Sequence, residues 1–467
     1  MMNSTLWRYM AILVRFVPKR MALALLLMVC LGLTEGVGLL VLVPLLQLVG
    51  LDVEQGALGR VAQLLSSAFS AVGVRPTLIT ILGLYVLVNG LQGLLHRWQT
   101  TINFTLQHEL VAALRQRLYR AMANTTWLFL SRKRSSDLIH VLTTEVERVG
   151  GVTYSLLHFL ATAIVGIAYV AFALWLSAAM TGLVLAAGGV LVLLMKQRTQ
   201  AARGAGEGLS QAMGSLHAAA VDHIGGMKTA KSYGAEERHA EIFARLADRV
   251  KFMYIHAVRN QADVKYWFDL SSVLVLSFIL YVSVEILTIP TAQVLLVLFL
   301  FARIMPRCSS LQQSYQSFVS LLPAFASVME THARCEAAAE PKVDTTEQCE
   351  LRHGIRLEQV SFCYQQNGGP PAIRDLELSI RARHTTAIAG PSGAGKSTIA
   401  DLVMGLIVPN RGRLLVDGLP LSPARIKAWR GQIGYVAQDT FLFHDTVRAN
   451  LLWARPGAST ADIWEAL

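Results

Sequence analysis

Six apolar stretches constrain this sequence more than any other feature: Met21 to Gly50, Leu78 to Gln99, Ser155 to Ser177, Ala179 to Lys196, Val264 to Leu287 and Thr291 to Arg307. A run of about 20 apolar residues crosses the hydrocarbon core of a bilayer, where every backbone N–H and C=O must be satisfied within protein. Separate spans of one chain meet that demand as helices. Across 467 residues the hydrophobic share is 53% and the mean hydropathy +0.45, more than a soluble chain carries. A membrane part joined to a soluble part accounts for both. A secretory signal is the alternative for the first run, but its apolar core would be shorter and would end in a small-residue cleavage site, which this sequence does not show.

The charges orient the spans. Arg8, Arg15, Lys19 and Arg20 precede the first one, and Lys and Arg are dense again from Arg97 to Gly150 and from Lys196 to Lys265. The opposite side receives only Arg60 and Arg75. Basic connections stay in the cytoplasm, so both chain ends and both long connections are expected there, in a multi-pass protein of the cytoplasmic (plasma or inner) membrane. The net charge of +11 follows from this placement. The basic residues flank apolar spans and form no patch interleaved with aromatics, which argues against a nucleic-acid partner. Cys30, Cys308, Cys335, Cys349 and Cys363 make no C-x-x-C pair and read as reduced thiols without a role. The two long connections are polar and helix-patterned, so helices should run past the bilayer, as should the last span towards Arg334, with Pro306 and Pro323 as possible kinks. Residues 1–339 therefore read as a transmembrane domain with long cytoplasmic extensions, 340–350 as a linker and 351–467 as a soluble α/β segment.

Within that segment the nine residues Gly390 to Thr398, GPSGAGKST, fit the phosphate-binding loop Gly-x-x-x-x-Gly-Lys-Ser/Thr. Gly390, Gly393 and Gly395 tolerate dihedrals that turn the N–H groups of Ser392 to Ser397 inward around an anion, and Pro391 and Ala394 complete the turn. A helix from Ser397 to about Leu406 would aim its N-terminus at the same point. Lys396 would reach the outer phosphates, and the Ser397 hydroxyl would hold Mg2+. The run Thr386 to Ala389 reads as a buried strand feeding the loop. A nucleoside triphosphate is the expected ligand.

Six spans with short outer and long inner connections, then a linker and this loop, resemble one half-transporter of the ABC exporter family over essentially the whole chain. The resemblance implies a six-helix membrane domain of exporter type I followed by a partial P-loop nucleotide-binding domain, with ATP and Mg2+ as cofactors. It also implies a second half-transporter as partner in a homo- or heterodimer within membrane lipid, and a lipid, peptide or drug-like amphiphile as cargo. Val360 to Tyr364 is similar to the family's adenine-stacking segment, which sets Tyr364 against the base. Gln438, in Gly434 to Asp439, resembles the Gln loop, which implies contact with Mg2+ and the attacking water. Thr446 to Leu451 is similar to the family's segment just downstream of that loop. Thr125 to Leu138 and Ala230 to Glu237 look like the two intracellular loops with their short coupling helices. After Leu467 the family continues with its signature, a catalytic glutamate and a switch histidine, so the chain is expected to be a piece of a longer, ATP-hydrolysing product. The alternative is a non-hydrolytic membrane subunit that regulates or pairs with a complete half-transporter. A tethered GTPase fits less well, since it has no use for Tyr364 and Gln438.

For the cargo, Asn89, Gln92, His96, Gln99 and Asn103 recur at spacings of three and four and share one face of the second span and its extension. Lining a cavity and bonding to a neighbouring helix both answer the cost of a polar group in lipid, and the sequence leaves the two open. Glu35 lies mid-span, where a carboxyl is usually functional or protonated. Arg303 and Arg307 sit on the inner half of the sixth span, where snorkelling to headgroups is the plain expectation.

Overall fold

The computed structural model describes residues 9, 18–48, 77–176, 181–182, 185–186, 188–189, 196–286, 291–342, 347–365, 370–438 and 441–467. It forms two compact units, one of residues Met1–Thr125 and Phe129–Ala339, the other of Thr126–Leu128 and Glu340–Leu467.

The first unit is helical. In order it comprises α1 (Pro18–Leu48), α2 (Leu78–Ala123), the start of the connection that holds α3 (Trp127–Ser131), then α4 (Ser135–His140), a π-turn (Val141–Glu145) running straight into α5 (Val146–Leu176), α6 (Lys196–Gly225), α7 (Met227–Ser232), α8 (Glu236–Tyr281) and α9 (Thr291–Ala337). Three described helical segments, Leu78–Ala123, Ser135–Ala171 and Glu236–Tyr281, are long and apolar enough to cross a membrane. The first and sixth expected spans are helical as α1 and α9, and α9 runs through Pro306 and Pro323. Most of the expected span Ala179 to Lys196, and the first outer connection with Arg60 and Arg75, lie outside the described residues.

The 46 residues of α2 rise about 70 Å, more than twice the hydrocarbon thickness. Its lower half carries Leu106, Leu110, Leu114 and Leu118 four residues apart, so they fall on one face and bury there. That stripe packs in one core with Val146, Val149, Val152 and Leu157 of α5 and Phe318, Leu322 and Phe325 of α9. The upper half leaves Val86, Leu87 and Leu91 exposed, as lipid-facing residues are. Helices α6 and α8 pack against each other, and α6 also lies along α9. A Cβ at Gly206 would run into the Ser320 carbonyl, so the glycine lets the α6 and α9 backbones close up.

The second unit is built on a sheet of order β2-β1-β3-β4, all antiparallel, with β1 (Gly354–Phe362), β2 (Ile373–Arg381), β3 (Arg411–Val416) and β4 (Leu419–Pro420). Ile355, Leu357, Val360 and Phe362 turn inward; the step from 357 to 360 breaks the alternation, and there the register shifts around Gln359 at φ 48°. The inward face packs on Ile399 and Leu402 of α10 (Lys396–Val403) and on Trp429 of α11 (Pro423–Arg430). Trp429 donates its Nε1–H to Val403 O at 2.8 Å, which satisfies the buried indole. Leu128, from the first long connection, packs on this core. The chain ends with α12 (Val447–Ala454) and α13 (Thr460–Ala466).

One expectation fails. Thr386 to Ala389 is not a strand: it is exposed and makes no ladder. A buried strand needs partners on both sides, and among the described residues the sheet offers this run none.

Candidate functional site

The loop Gly390 to Ser397 leaves the sheet region and enters α10. Gly393 at φ 83° and Gly395 at φ 90° occupy backbone conformations that a side chain disfavours. At Gly395 a Cβ would also stand 2.9 Å from Ala372 O. Gly395 is the N-cap of α10, and no side chain caps the helix, so its first N–H groups are left open towards the loop. Lys396 folds back over the loop and donates from Nζ to Gly390 O at 2.9 Å and Pro391 O at 2.8 Å. Ser397 is exposed beside it and Thr398 is buried. The cradle presents N–H donors, an ammonium and a hydroxyl at one point, a donor set suited to a polyphosphate and its cation.

Tyr364 lies two residues beyond the end of β1. Its hydroxyl lies 3.2 Å from Thr398 Oγ1, and its ring meets Phe362 edge to face at a centroid distance of 4.9 Å. The sequence signals no such Tyr364–Thr398 contact, because it joins residues on either side of the loop. Tyr364 is 37% exposed, with ring area left for a base to stack on. Gln438 is exposed at a bend. The Thr446 hydroxyl accepts from Ala449 N at 3.1 Å and caps α12. In α10, burial pushes the Asp401 carboxyl above the usual range.

Family models match two long stretches: the ABC transporter transmembrane region over residues 21–307 and the ABC transporter domain over residues 373–467. The chain belongs to the ABC transporter family. The heterocyst differentiation ATP-binding protein HepA of Nostoc is 27% identical over 77% of this chain and 59% of its own length. An ATP-dependent lipid A-core flippase of Chromobacterium violaceum is 26% identical over 83% of this chain and 66% of its own. This ABC chain thus spans about three fifths to two thirds of the length of these relatives. A bacterial Atm1-family ABC exporter solved with ATP bound shares the fold, with a TM-score of 0.74 at 20% identity, covering 96% of this chain and 76% of that one.

In the membrane domain of this ABC chain, the polar face expected on α2 divides. Gln92 donates to Thr34 O of α1 at 2.7 Å, a helix-to-helix bond, and Asn89 donates to Tyr85 O of its own helix at 2.8 Å. His96 is exposed, whereas Gln99 and Asn103 are buried, their side-chain oxygens without partners among the described residues. The Glu35 side chain lies outside the described residues. Arg307 lies 5.8 Å over the ring of Tyr169 in α5, a cation–π contact inside the bundle. The short helices α3 and α7 fall in the two connections that resemble intracellular loops.

Proposed function

We propose that this chain is the membrane domain and the first part of the nucleotide-binding domain of an ATP-driven half-transporter, an exporter or flippase of amphiphiles. The domains divide at 1–339, 340–350 and 351–467, and the half-transporter pairs with a second one in the cytoplasmic membrane. The flippase named among its relatives supports a lipid-like cargo. The phosphate loop carries the reading: glycines at φ 83° and 90°, a helix N-terminus without a side-chain cap, and a lysine over the loop carbonyls.

ATP binding follows from those groups. The backbone N–H groups of Ser392 to Ser397 take up the β- and γ-phosphates, and Lys396 exchanges its two carbonyl partners for phosphate oxygens. Tyr364 stacks on the adenine. The hydroxyl of Ser397 and the amide of Gln438 would hold Mg2+, which would supply charge neutralisation for the phosphates. Gln438 also orients the attacking water. ATP hydrolysis then drives export.

The test is calorimetric ATP titration of the protein in lipid. Lys396→Ala should weaken binding at least about tenfold, the loss of one charge-assisted contact. Equal affinity in wild type and variant would overturn the site.

A further inference from the structure

Glu145 is the most deeply buried acid of the described cytoplasmic helices, 1% exposed at the last position of the π-turn that joins α4 to α5. Its Oε1 lies 3.2 Å from His140 Nε2 and 3.3 Å from Arg148 Nη1. Its Oε2 accepts from Ser210 Oγ of α6 at 3.4 Å. Arg148 donates to the same Ser210 hydroxyl and, at 3.4 Å, to Gly206 O. Thr144 Oγ1 meets His217 Nε2 at 3.1 Å, and the His140 and His217 rings lie 5.1 Å apart. Every link on the α6 side starts from four residues of the π-turn and its edges, His140, Thr144, Glu145 and Arg148.

Three independent features set this cluster apart from an ordinary surface ion pair. It is buried, where losing one partner leaves a charge uncompensated. It sits on a π-turn, an irregularity found frequently at functional sites. It also crosses between elements: among the described residues, the helices that pack most on α6 from outside the α6–α7–α8 hairpin are α4 and α9, and the π-turn and Arg148 add the bonds above. The α4 side is this cluster, and it lies directly downstream of α3, whose Trp127 and Leu128 belong to the second unit.

We propose that Glu145 is a coupling bolt that makes the first cytoplasmic connection, from α4 to the root of α5, and the α6–α8 hairpin move as one body. A displacement imposed on the α3–α4 segment is then delivered to α6 through the carboxylate. Without it, the links left from this connection to α6 among the described residues are Arg148 with Ser210 and Gly206 O, and Thr144 with His217. The role assigned to nucleotide rests on the function proposed above, whereas the mechanical link does not.

Hydrogen exchange of the protein in lipid, read by mass spectrometry, tests both. Without nucleotide, Glu145→Gln should speed exchange about tenfold in two separated peptides, 140–148 and 206–217, the effect of losing a charged hydrogen bond. Peptide 354–362 should not change. Glu147→Gln, whose carboxylate pairs with Arg115 on the exposed rim, should leave all three alone. Faster exchange confined to 140–148, or in neither peptide, overturns the bolt. Should Glu145→Gln not fold, Ser210→Ala removes the α6 hydroxyl that joins both Glu145 and Arg148 and is expected to free 206–217 alone; unchanged exchange there overturns the proposal equally. With ATP, wild type should shift in both peptides and Glu145→Gln only in 140–148. A shift in 206–217 that survives the substitution overturns the coupling, and no ATP response in either protein counts against the nucleotide site while the nucleotide-free comparison still decides the bolt.

Discussion

At the scale of single residues, Asp417 ties the edge of the nucleotide sheet together. Its carboxylate accepts from the backbone N–H groups of Arg352, His353 and Gly354 at 2.6, 2.7 and 2.8 Å. Slight burial raises its pKa, but the three N–H donors outweigh that and hold it below the usual carboxylate range. A depressed value means stability that is fully present above the unfolded pKa and lost as pH falls through the folded one. Asp417→Asn should therefore cost about 1–2 kcal/mol at neutral pH, a partly solvated charged network. In thermal melts of the protein in lipid, the gap to wild type should close as the pH drops below about 4; a gap that persists would remove the charge from the explanation. Gly395→Ala acts through backbone conformation. A Cβ at φ 90° costs about 1–2 kcal/mol and would press on Ala372 O, so ATP affinity should fall while α10 stays folded, read by titration beside circular dichroism.

Elements show what the sequence could and could not disclose. Asp417-Gly418 is a dipeptide that favours tight hairpins, and the structure turns there between β3 and β4 with both residues at positive φ. The loop at Gly390 to Ser397 is legible because its chemistry is local: its glycines, lysine and helix are neighbours in sequence. The Glu145 cluster is not, since His140, Arg148, Ser210 and His217 look individually like the solvated faces of polar helices and meet only after the α4 to α5 connection packs on α6. Thr386 to Ala389 misleads for the opposite reason: an apolar run supplies a strand's side chains but not its neighbours. Tyr364 gives a test between local and distant roles. Tyr364→Phe removes only the hydroxyl contact to Thr398 and should leave ATP affinity nearly unchanged, whereas Tyr364→Ala should lose about 1–3 kcal/mol if the ring stacks on the base. Equal losses in calorimetry would assign the effect to the hydroxyl. For helix pairing, Gly206→Ala should part α6 from α9, because the Ser320 carbonyl fills the space its methyl needs. Faster hydrogen exchange on both helices is the expected readout.

For the whole molecule, the charge bias predicts sidedness. A cysteine at Val53 should react with an impermeant thiol reagent in intact cells, and one at Gln211, an exposed position of α6, only after permeabilisation, with the unsubstituted chain as blank. Labelling of Gln211→Cys in intact cells would invert the topology. Three helices of the first unit are long: α2 and α8 have 46 residues each and α9 has 47. A continuous helix transmits tilt as a beam does. For a beam of about 70 Å, a rotation of about 10° about its midpoint carries each end about 6 Å, with no side chain along it changing rotamer. The leverage is thus set by how many residues the helix keeps unbroken, and a proline or glycine pair inserted midway in α2 would shorten the stroke without touching either end.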